Sequence, residues 1–596
     1  MNYRLSPTAW LTAAAGAFLA HSALATDTLE PLLVTATRSA QPLSLSLSAS
    51  TVLERADIER SQARDALELL RGVAGIDLAR SGGPGSQTSL FMRGSNSNHV
   101  LVLIDGVRVS SATTGTYAFE FLPIEQIERI EIVRGPRASV WGSDAIGGVI
   151  QIFTRRDAGT ELNVALGSEG AQQYRAAYGS RSERGGFRLG LERRLTDTVS
   201  AQNENGFAFN PDNDGLRRSA VSVSGDLELN PHHRLEGFAL GSNSDNEFDE
   251  GASRSEQRAM AFNVSSDWSA NWSQYAQLGF AQDDLATPAF ASAFETKRSN
   301  AVLKQTFRFE ASSLSIGADY LRESGLNSSA GESVFDRTRR NLGVFGLWQS
   351  QFGRQSIDLG TRIDDSSQFD SANTSSIAYG FQLTPDFLLY TSIGQGFRAP
   401  NFNELYSPGF GGSFRGNPNL DPERSLNYEA GLKRGGLNVA FFSNHIDDLI
   451  AFQGGRTFEA VNVREARVQG IELEHRWQGE LYRSQLSVTF QGPKDLSAGR
   501  DLLRRPKQKA NFSLDRRGSG SAFSVGGDLF VSGPRIDFGG PLAGYAVLDL
   551  RAQYAVNPQF SLQARLANLF DRRYELVSGF NTEQRSILFE LQYTAL

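Results

Sequence analysis

Ala546-Val-Leu-Asp-Leu-Arg-Ala-Gln-Tyr554 sets Ala546, Leu548, Leu550, Ala552 and Tyr554 on one face of an extended chain and Asp549, Arg551 and Gln553 on the other. Strand side chains alternate between two faces, so this stretch divides an apolar surface from a charged one. The grammar recurs in Phe560, Leu562, Ala564 and Leu566 against Ser561, Gln563 and Arg565, and in Leu486, Val488 and Phe490 against Ser487, Thr489 and Gln491. A soluble β-sandwich also has one apolar face, so the period alone leaves sandwich and membrane barrel open.

Connections and length narrow the choice. Asn230-Pro-His-His, Thr384-Pro-Asp-Phe and Asn557-Pro-Gln-Phe read as tight turns, whereas Asn401 to Asp421 and Gly526 to Gly544 read as long Gly-, Pro- and Asn-rich connections. Short turns at one rim and long loops at the other are the asymmetry of a transmembrane barrel, and residues 157–596, at roughly 20 per strand with its connections, make about 22 antiparallel strands. No apolar run after the N-terminus approaches the roughly 20 residues of a membrane helix. A strand offers lipid only every second side chain, so hydropathy averages its signal away. A barrel of that circumference has a lumen wide enough to require a plug.

Upstream of Arg155 the pattern is that of a water-soluble core. Val100-Leu-Val-Leu-Ile is apolar on both faces, as a doubly covered strand must be. Ser89 to Arg93, Val100 to Asp105, Ile127 to Val133 and Gly148 to Phe153 read as strands, and Asp57 to Gly75 as a helix carrying Ala63, Ala66, Leu67 and Leu70 on one face. The expected organisation is a leader at 1–25, an N-terminal leash at 26–48, an α+β plug domain at 49–156 and an all-β membrane barrel at 157–596. Arg4, the apolar run from Trp10 to Ala20 and Ala23-Leu24-Ala25 form an export signal with its cleavage site.

With 59 Lys and Arg against 66 Asp and Glu, a net charge of -7 and no cysteine, the chain lacks the basic excess of a nucleic-acid binder, a disulfide framework and thiol metal ligands. His21, His99, His232, His233, His445 and His475 sit in no nucleophile-base motif, so an enzyme is not expected, and His99 before its strand reads as structural. Nor is there a phosphate-binding G-x-x-x-x-G-K-[ST] loop, so neither a nucleotide nor a redox cofactor is expected. Ser81 to Gln87 and Ser110 to Tyr117 are polar, flexible and uncharged, and read on composition as ordinary surface loops. Arg93 before Gly94 and Arg134 before Gly135 would need carboxylate partners if they met a barrel wall, since a desolvated charge is costly unless paired.

Longer motifs carry a family resemblance that runs nearly end to end. His99-Val-Leu-Val-Leu-Ile-Asp-Gly-Val-Arg and Arg134-Gly-Pro-Arg-Ala-Ser-Val-Trp-Gly-Ser-Asp-Ala-Ile-Gly-Gly-Val-Ile resemble the plug signatures of TonB-dependent outer-membrane receptors. Phe397-Arg-Ala-Pro-Asn-Phe-Asn-Glu-Leu-Tyr, Gly416-Asn-Pro-Asn-Leu-Asp-Pro-Glu-Arg-Ser and Asn568-Leu-Phe-Asp-Arg-Arg-Tyr-Glu are similar to barrel segments of the family's cobalamin receptors. The resemblance implies TonB-driven uptake of cobalamin, or alternatively of a ferric siderophore or other metal chelate, through the outer membrane of a Gram-negative bacterium. Its partners would be TonB, with the ExbB–ExbD motor of the inner membrane, and outer-membrane lipid.

The resemblance also assigns residues. Leu32, Leu33, Val34, Thr35 and Ala36 resemble the TonB box, an apolar segment on a flexible leash able to add to a partner's sheet edge. Glu429 and Glu472 match wall positions that pair with Arg93 and Arg134, with Glu474 an open alternative to Glu472. Ser81, Gly82, Gly83, Pro84, Gly85, Ser86 and Gln87, with Ser110, Ser111, Thr113, Thr114, Gly115, Thr116 and Tyr117, match apical loops that hold cobalamin, which turns the compositional reading around. Asp212, Asp214 and Asp249 match part of a calcium-binding loop set, and hard carboxylates beside a turn glycine suit that ion. The family usually ends on an aromatic residue used in barrel assembly, whereas Tyr593-Thr-Ala-Leu596 does not, which bears on assembly rather than fold.

Overall fold

The computed structural model describes residues 30–409, 414–453, 458–516 and 522–595, so the expected leader lies outside the described residues. A closed antiparallel barrel of 22 strands runs from Gly159–Gly167 to Ser586–Ala595, whose edges pair with each other, Val164 against Leu591. Closure leaves no unpaired edge, which is what a β-structure requires in lipid. The alternation decides which face is which: Leu550 and Tyr554 are exposed at 40% and 48%, while Asp549 and Arg551 face the lumen at 4% and 7%.

The three Pro-containing turns all lie at the near rim, where Arg156 leads into the first strand, and long connections such as 198–214 and 568–585 lie at the far rim. Exposed Trp268, Trp272, Phe309 and Phe352 gather at the near rim, with Trp268 and Trp272 centred 5.9 Å apart, as an interfacial aromatic girdle. Gly526 to Gly544 is not one long loop. Phe523–Ser532 is a strand that includes Gly526, and a two-stranded hairpin, Arg535–Asp537 with Gly540–Leu542, follows it. A Cβ on Gly526 would lie 2.1 Å from Asp515 Oδ1, so this glycine makes room for the lumenal Asp515–Arg551 ion pair rather than marking a turn.

The plug fills the lumen. Two short strands, β1 (Leu32–Leu33) and β2 (Gln41–Pro42), precede β3 (Ser50–Glu54), α1 (Arg55–Ser61), α2 (Ala66–Arg71), β4 (Ile76–Arg80), β5 (Thr88–Met92), β6 (Val100–Ile104), β7 (Val107–Arg108), β8 (Ile127–Arg134), α3 (Ala138–Trp141) and β9 (Gly148–Thr154). Its main sheet has the order β3-β8-β9-β6-β7, with β6 and β9 parallel. As its unbroken apolar run requires, β6 sends Val100, Val102 and Ile104 into one core cluster and Leu101 and Leu103 into another. The single helix expected over Asp57 to Gly75 is two. Gln62 takes a left-handed φ of 49°, and Asp65 accepts the Glu68 amide at 2.9 Å to cap a new start, so capping overrides the continuous apolar period.

Candidate functional site

Plug and barrel meet at several places, among them Glu68 with Arg565 and Glu125 with Arg175, and one of these is a buried ionic cluster. Arg93, just beyond β5, donates from Nε and Nη2 to both oxygens of Glu472 at 2.9 Å, and from Nη1 to Glu429 Oε2 at 2.5 Å. Arg134, at the end of β8, pairs with Glu472 Oε2 and Glu474 Oε2, each at 3.1 Å. The carboxylates come from two wall strands, Glu423–Arg434 and Glu459–Gln478, and Glu472 and Glu474 share a lumenal face by the two-residue period. Glu474 therefore joins the group alongside Glu472 rather than replacing it. Burial pulls the Arg93 guanidinium down, but Glu472 and Glu429 outweigh it and its pKa is raised. Gly75 makes room: with φ at +72°, a Cβ there would lie 2.1 Å from Glu472 Oε1.

The same carboxylates also hold the start of the plug. Glu429 Oε1 accepts the Ala49 amide at 2.9 Å, and Glu474 Oε2 accepts the Thr51 hydroxyl at 2.8 Å.

A second set, which sequence reading did not foresee, lies toward the far rim. Arg398 bridges Glu423 and Glu404 at 2.7 and 2.9 Å, and His99 Nε2 of the plug lies 2.6 Å from Glu423 Oε2 with the ring fully buried. Asn401 caps the short helix Phe402–Tyr406 and donates through Nδ2 to Thr114 O at 3.0 Å, while the Phe402 and Asn403 amides donate to Ala112 O and Thr113 O, both at 3.0 Å. These contacts place Ser110 to Tyr117 directly on the Phe397-Arg-Ala-Pro-Asn motif. The usable signal was a charged residue within an apolar motif; its partners, on other strands, were not readable.

Both apical loops lie under the far rim. Most of Ser81 to Gln87 is packed: a Cβ on Gly83 would lie 2.4 Å from Thr198 Oγ1, and one on Gly85 would lie 2.3 Å from Asn246 Oδ1. Gly82, Pro84 and Ser86 are buried too, Ser81 is half-buried, and Gln87 is exposed. In the other loop Ser110, Ser111, Thr113 and Tyr117 are buried, Gly115 and Thr116 are half-buried and Thr114 is exposed. The surface presented upward is therefore amide and hydroxyl, without charge.

The N-terminal segment is not a free leash from residue 30 onward. Leu33 is fully buried in a cluster with Ala36, Val52 and Val133, and β1 pairs with β2. Glu131 Oε2, from β8, accepts the amides of Val34 and Thr35 at 2.9 and 2.8 Å and the Thr35 hydroxyl at 2.6 Å. Trp141 Nε1 donates to Thr35 O at 2.8 Å, and Arg38 stacks 4.2 Å over that indole while pairing with Asp319 of the wall at 3.0 Å. A leash was expected because the segment is short and precedes the plug signatures; the buried acid that holds it lies 97 residues away. Hydrogen bonds to a charged group are worth about 1.5–3 kcal/mol each, and each ~1.4 kcal/mol is tenfold in an equilibrium. Glu131→Ala should thus expose Leu32 to Ala36. Limited proteolysis of purified protein is expected to cleave there at least ten times faster than in wild type, and equal rates would show that Glu131 does not restrain the segment.

Asp212, Asp214 and Asp249 lie at the far-rim mouth. Asp214 Oδ2 accepts the Ala201 amide at 2.6 Å, and Asp249 accepts the Gln202 and Asn210 amides at 2.7 and 2.8 Å and the Ser200 hydroxyl at 2.9 Å. Burial, reinforced by Asp249, Asp212 and Glu247, pushes the Asp214 carboxyl up to about 6. The Asp214 and Asp249 oxygens thus serve loop amides and a hydroxyl. Among the described residues, ligand atoms meet within 4.8 Å only at His445, Asp447 and Glu465, on strands Leu437–Gln453 and Glu459–Gln478.

Two family models match: TonB-dependent Receptor Plug Domain over residues 42–149, and TonB dependent receptor-like, beta-barrel over residues 161–569. Vitamin B12 transporter BtuB of Photobacterium profundum is 30% identical over 581 residues, covering 93% of this chain and 94% of that protein. The copper transporter OprC superposes with a TM-score of 0.79 at 19% identity, over 95% of this chain and 100% of that one. The siderophore receptor PirA from Acinetobacter baumannii does so with a TM-score of 0.78 at 18% identity, over 91% and 98%. At such identities the solved structures speak to fold alone.

Proposed function

The chain belongs to the TonB-dependent receptors of the Gram-negative outer membrane, and from that premise we propose that it carries cobalamin (vitamin B12) actively into the periplasm. The observation that supports this cargo is the relative named as a vitamin B12 transporter, similar over almost the whole length of both chains. The apex agrees with it: Gln87, Thr114 and Thr116 offer uncharged donors and acceptors, suited to an amide-rimmed corrinoid, whereas a polyanionic ferric chelate calls for cations.

In this reading the far rim faces outward, and Ser81 to Gln87 and Ser110 to Tyr117 form the floor on which the substrate rests. Leu32 to Ala36 is the TonB box, which adds to TonB as a strand when Glu131 and Trp141 release it, and ExbB–ExbD supply the work. Substrate favours release only by binding the released state more tightly than the closed one. Arg93 and Arg134, with Glu429, Glu472 and Glu474, keep the rest of the plug seated on the wall.

Calcium belongs to the same proposal as a ligand that would draw Asp214 and Asp249 away from their amide partners and recruit Asp212 beside them. The raised Asp214 carboxyl and its acidic neighbours support it, since a divalent cation offsets that repulsion. The test is equilibrium binding of radiolabelled cobalamin and of ferric chelates to purified protein, with calcium and with chelator. Saturable cobalamin binding that weakens at least several-fold in chelator is expected. Binding of a ferric chelate alone would replace the cargo, and indifference to chelator would remove calcium.

A further inference from the structure

On the outer wall, the long strands Ser312–Ser329 and Glu332–Phe352 place Arg322 directly opposite Arg340. Both point away from the lumen, because Glu323 and Arg339, the next residue on each strand, are buried on the lumenal face and paired to one another. Both are exposed, and among the described residues neither guanidinium has an ion pair. Like charges directly across a ladder repel and destabilise the pair. In the lumen the facing arginines Arg551 and Arg565 are instead bound to carboxylates, as are Arg93, Arg134, Arg362 and Arg398.

Height explains what could answer that repulsion. The next outward pair below is Tyr320 opposite Leu342, exposed at 40% and 48%, and Val344 below it is exposed at 54%. These belong to the lipid-facing band that rises from the near-rim aromatic girdle. At roughly 3.3 Å per residue and a tilt near 40°, the climb from Ser312 to Arg322 is about 25 Å, the full height of a barrel's apolar band. The two guanidiniums therefore stand just above hydrocarbon, where the lipid headgroups of the far leaflet lie. On the neighbouring strand Lys297 also points outward, opposite Ser324, with Glu295 as a loose partner at 3.6 Å.

We propose that Arg322 and Arg340 form an outward-facing site for a phosphorylated glycolipid of the outer leaflet, taking its phosphate between two guanidiniums while its acyl chains lie against Tyr320, Leu342 and Val344. Guanidinium forks match phosphate oxygens bidentately, and an anion between them turns a repelling pair into a bridged one. Lys297 adds a third positive charge at the edge. The assignment rests on the outer-membrane reading, with the far rim outward, but not on the identity of the cargo.

The experiment compares full-length protein purified from outer membranes in mild detergent as wild type, as Arg322→Ala/Arg340→Ala and as Arg254→Ala, whose guanidinium pairs with Asp245. Native mass spectrometry reads the retained glycolipid, and heat-modifiable migration verifies that each barrel is folded. Wild type and Arg254→Ala are expected to retain it, and the double variant to lose at least tenfold. Reconstituted with bis-phosphorylated or dephosphorylated glycolipid, wild type should hold only the first, and millimolar inorganic phosphate should not displace it. Equal retention by the folded double variant, retention of the dephosphorylated lipid, or displacement by free phosphate would each overturn the site. Cobalamin binding, measured on the same preparations, is expected to be unchanged, so failure of the cargo reading would appear there alone.

Discussion

Removing Leu32 to Ala36 is expected to abolish cobalamin uptake while leaving binding to the cell surface at wild-type affinity. The segment lies at the near-rim end of the plug, held by Glu131 and Trp141, whereas the apical loops meet residues of the far rim such as Thr198, Thr296 and Asn401. Deletion therefore takes away no atom of the proposed binding floor. It takes away the strand that TonB would extend, so the coupling to energy is lost as a whole rather than weakened. A receptor-null strain carrying the deleted chain should show background accumulation, a fall of about two orders of magnitude, with surface binding retained. Accumulation equal to that of the intact chain would sink the assignment of the box, and loss of surface binding would place these residues in the binding floor instead.

The second large effect is expected at the plug–wall ion cluster. Arg134→Ala leaves Glu472 and Glu474 facing each other's charge, with Arg93 as the remaining guanidinium. Arg134 and Glu472 are only 1% and 2% exposed, so solvent screens little of this. Removing one member of a buried pair typically costs about 3–5 kcal/mol, because the partner is left as an uncompensated charge. The closed barrel has its own ladder, so the cost should fall on plug seating. Hydrogen exchange is expected to show β3 and β8 opening more than a hundredfold more often, and planar bilayers to show conductance absent from wild type. Unchanged exchange and conductance would mean that packing alone seats the plug. Arg134→Lys should recover only part of the loss, since one ammonium cannot span Glu472, Glu474, Thr51 Oγ1 and Ala74 O as this guanidinium does.

The sequence revealed most where a physical period repeats and least where distant strands must meet. Leu548, Leu550 and Asp549 could be assigned to faces because lipid and lumen impose a period of two on every strand. Arg93 and Arg134 gave no unusual signal on their own, and only the family resemblance matched them to Glu429 and Glu472. Their partners lie 336 to 379 residues away, and no local rule fixes which wall strand comes alongside the plug. His99 and Glu423 were invisible as a pair for the same reason. The one-helix reading over Asp57 to Gly75 failed because Asp65 offered the backbone a cap, a local competition that an apolar period does not register. Gly526 misled by composition: glycine was taken for a turn where it vacates space for a neighbour's ion pair.

Gly75 extends that last point into a statement about descent. With its backbone in the left-handed region and Glu472 Oε1 occupying the place of a Cβ, this position cannot gain a side chain while the ionic cluster stands. The cluster is thus recorded at a site that carries no charge. Among relatives, lineages that keep the arginines and Glu472 should also keep glycine at the equivalent of position 75. Lineages that have lost Glu472 should be free to diversify there, which gives the lock a heritable signature four residues wide: Gly75, Arg93, Arg134 and Glu472.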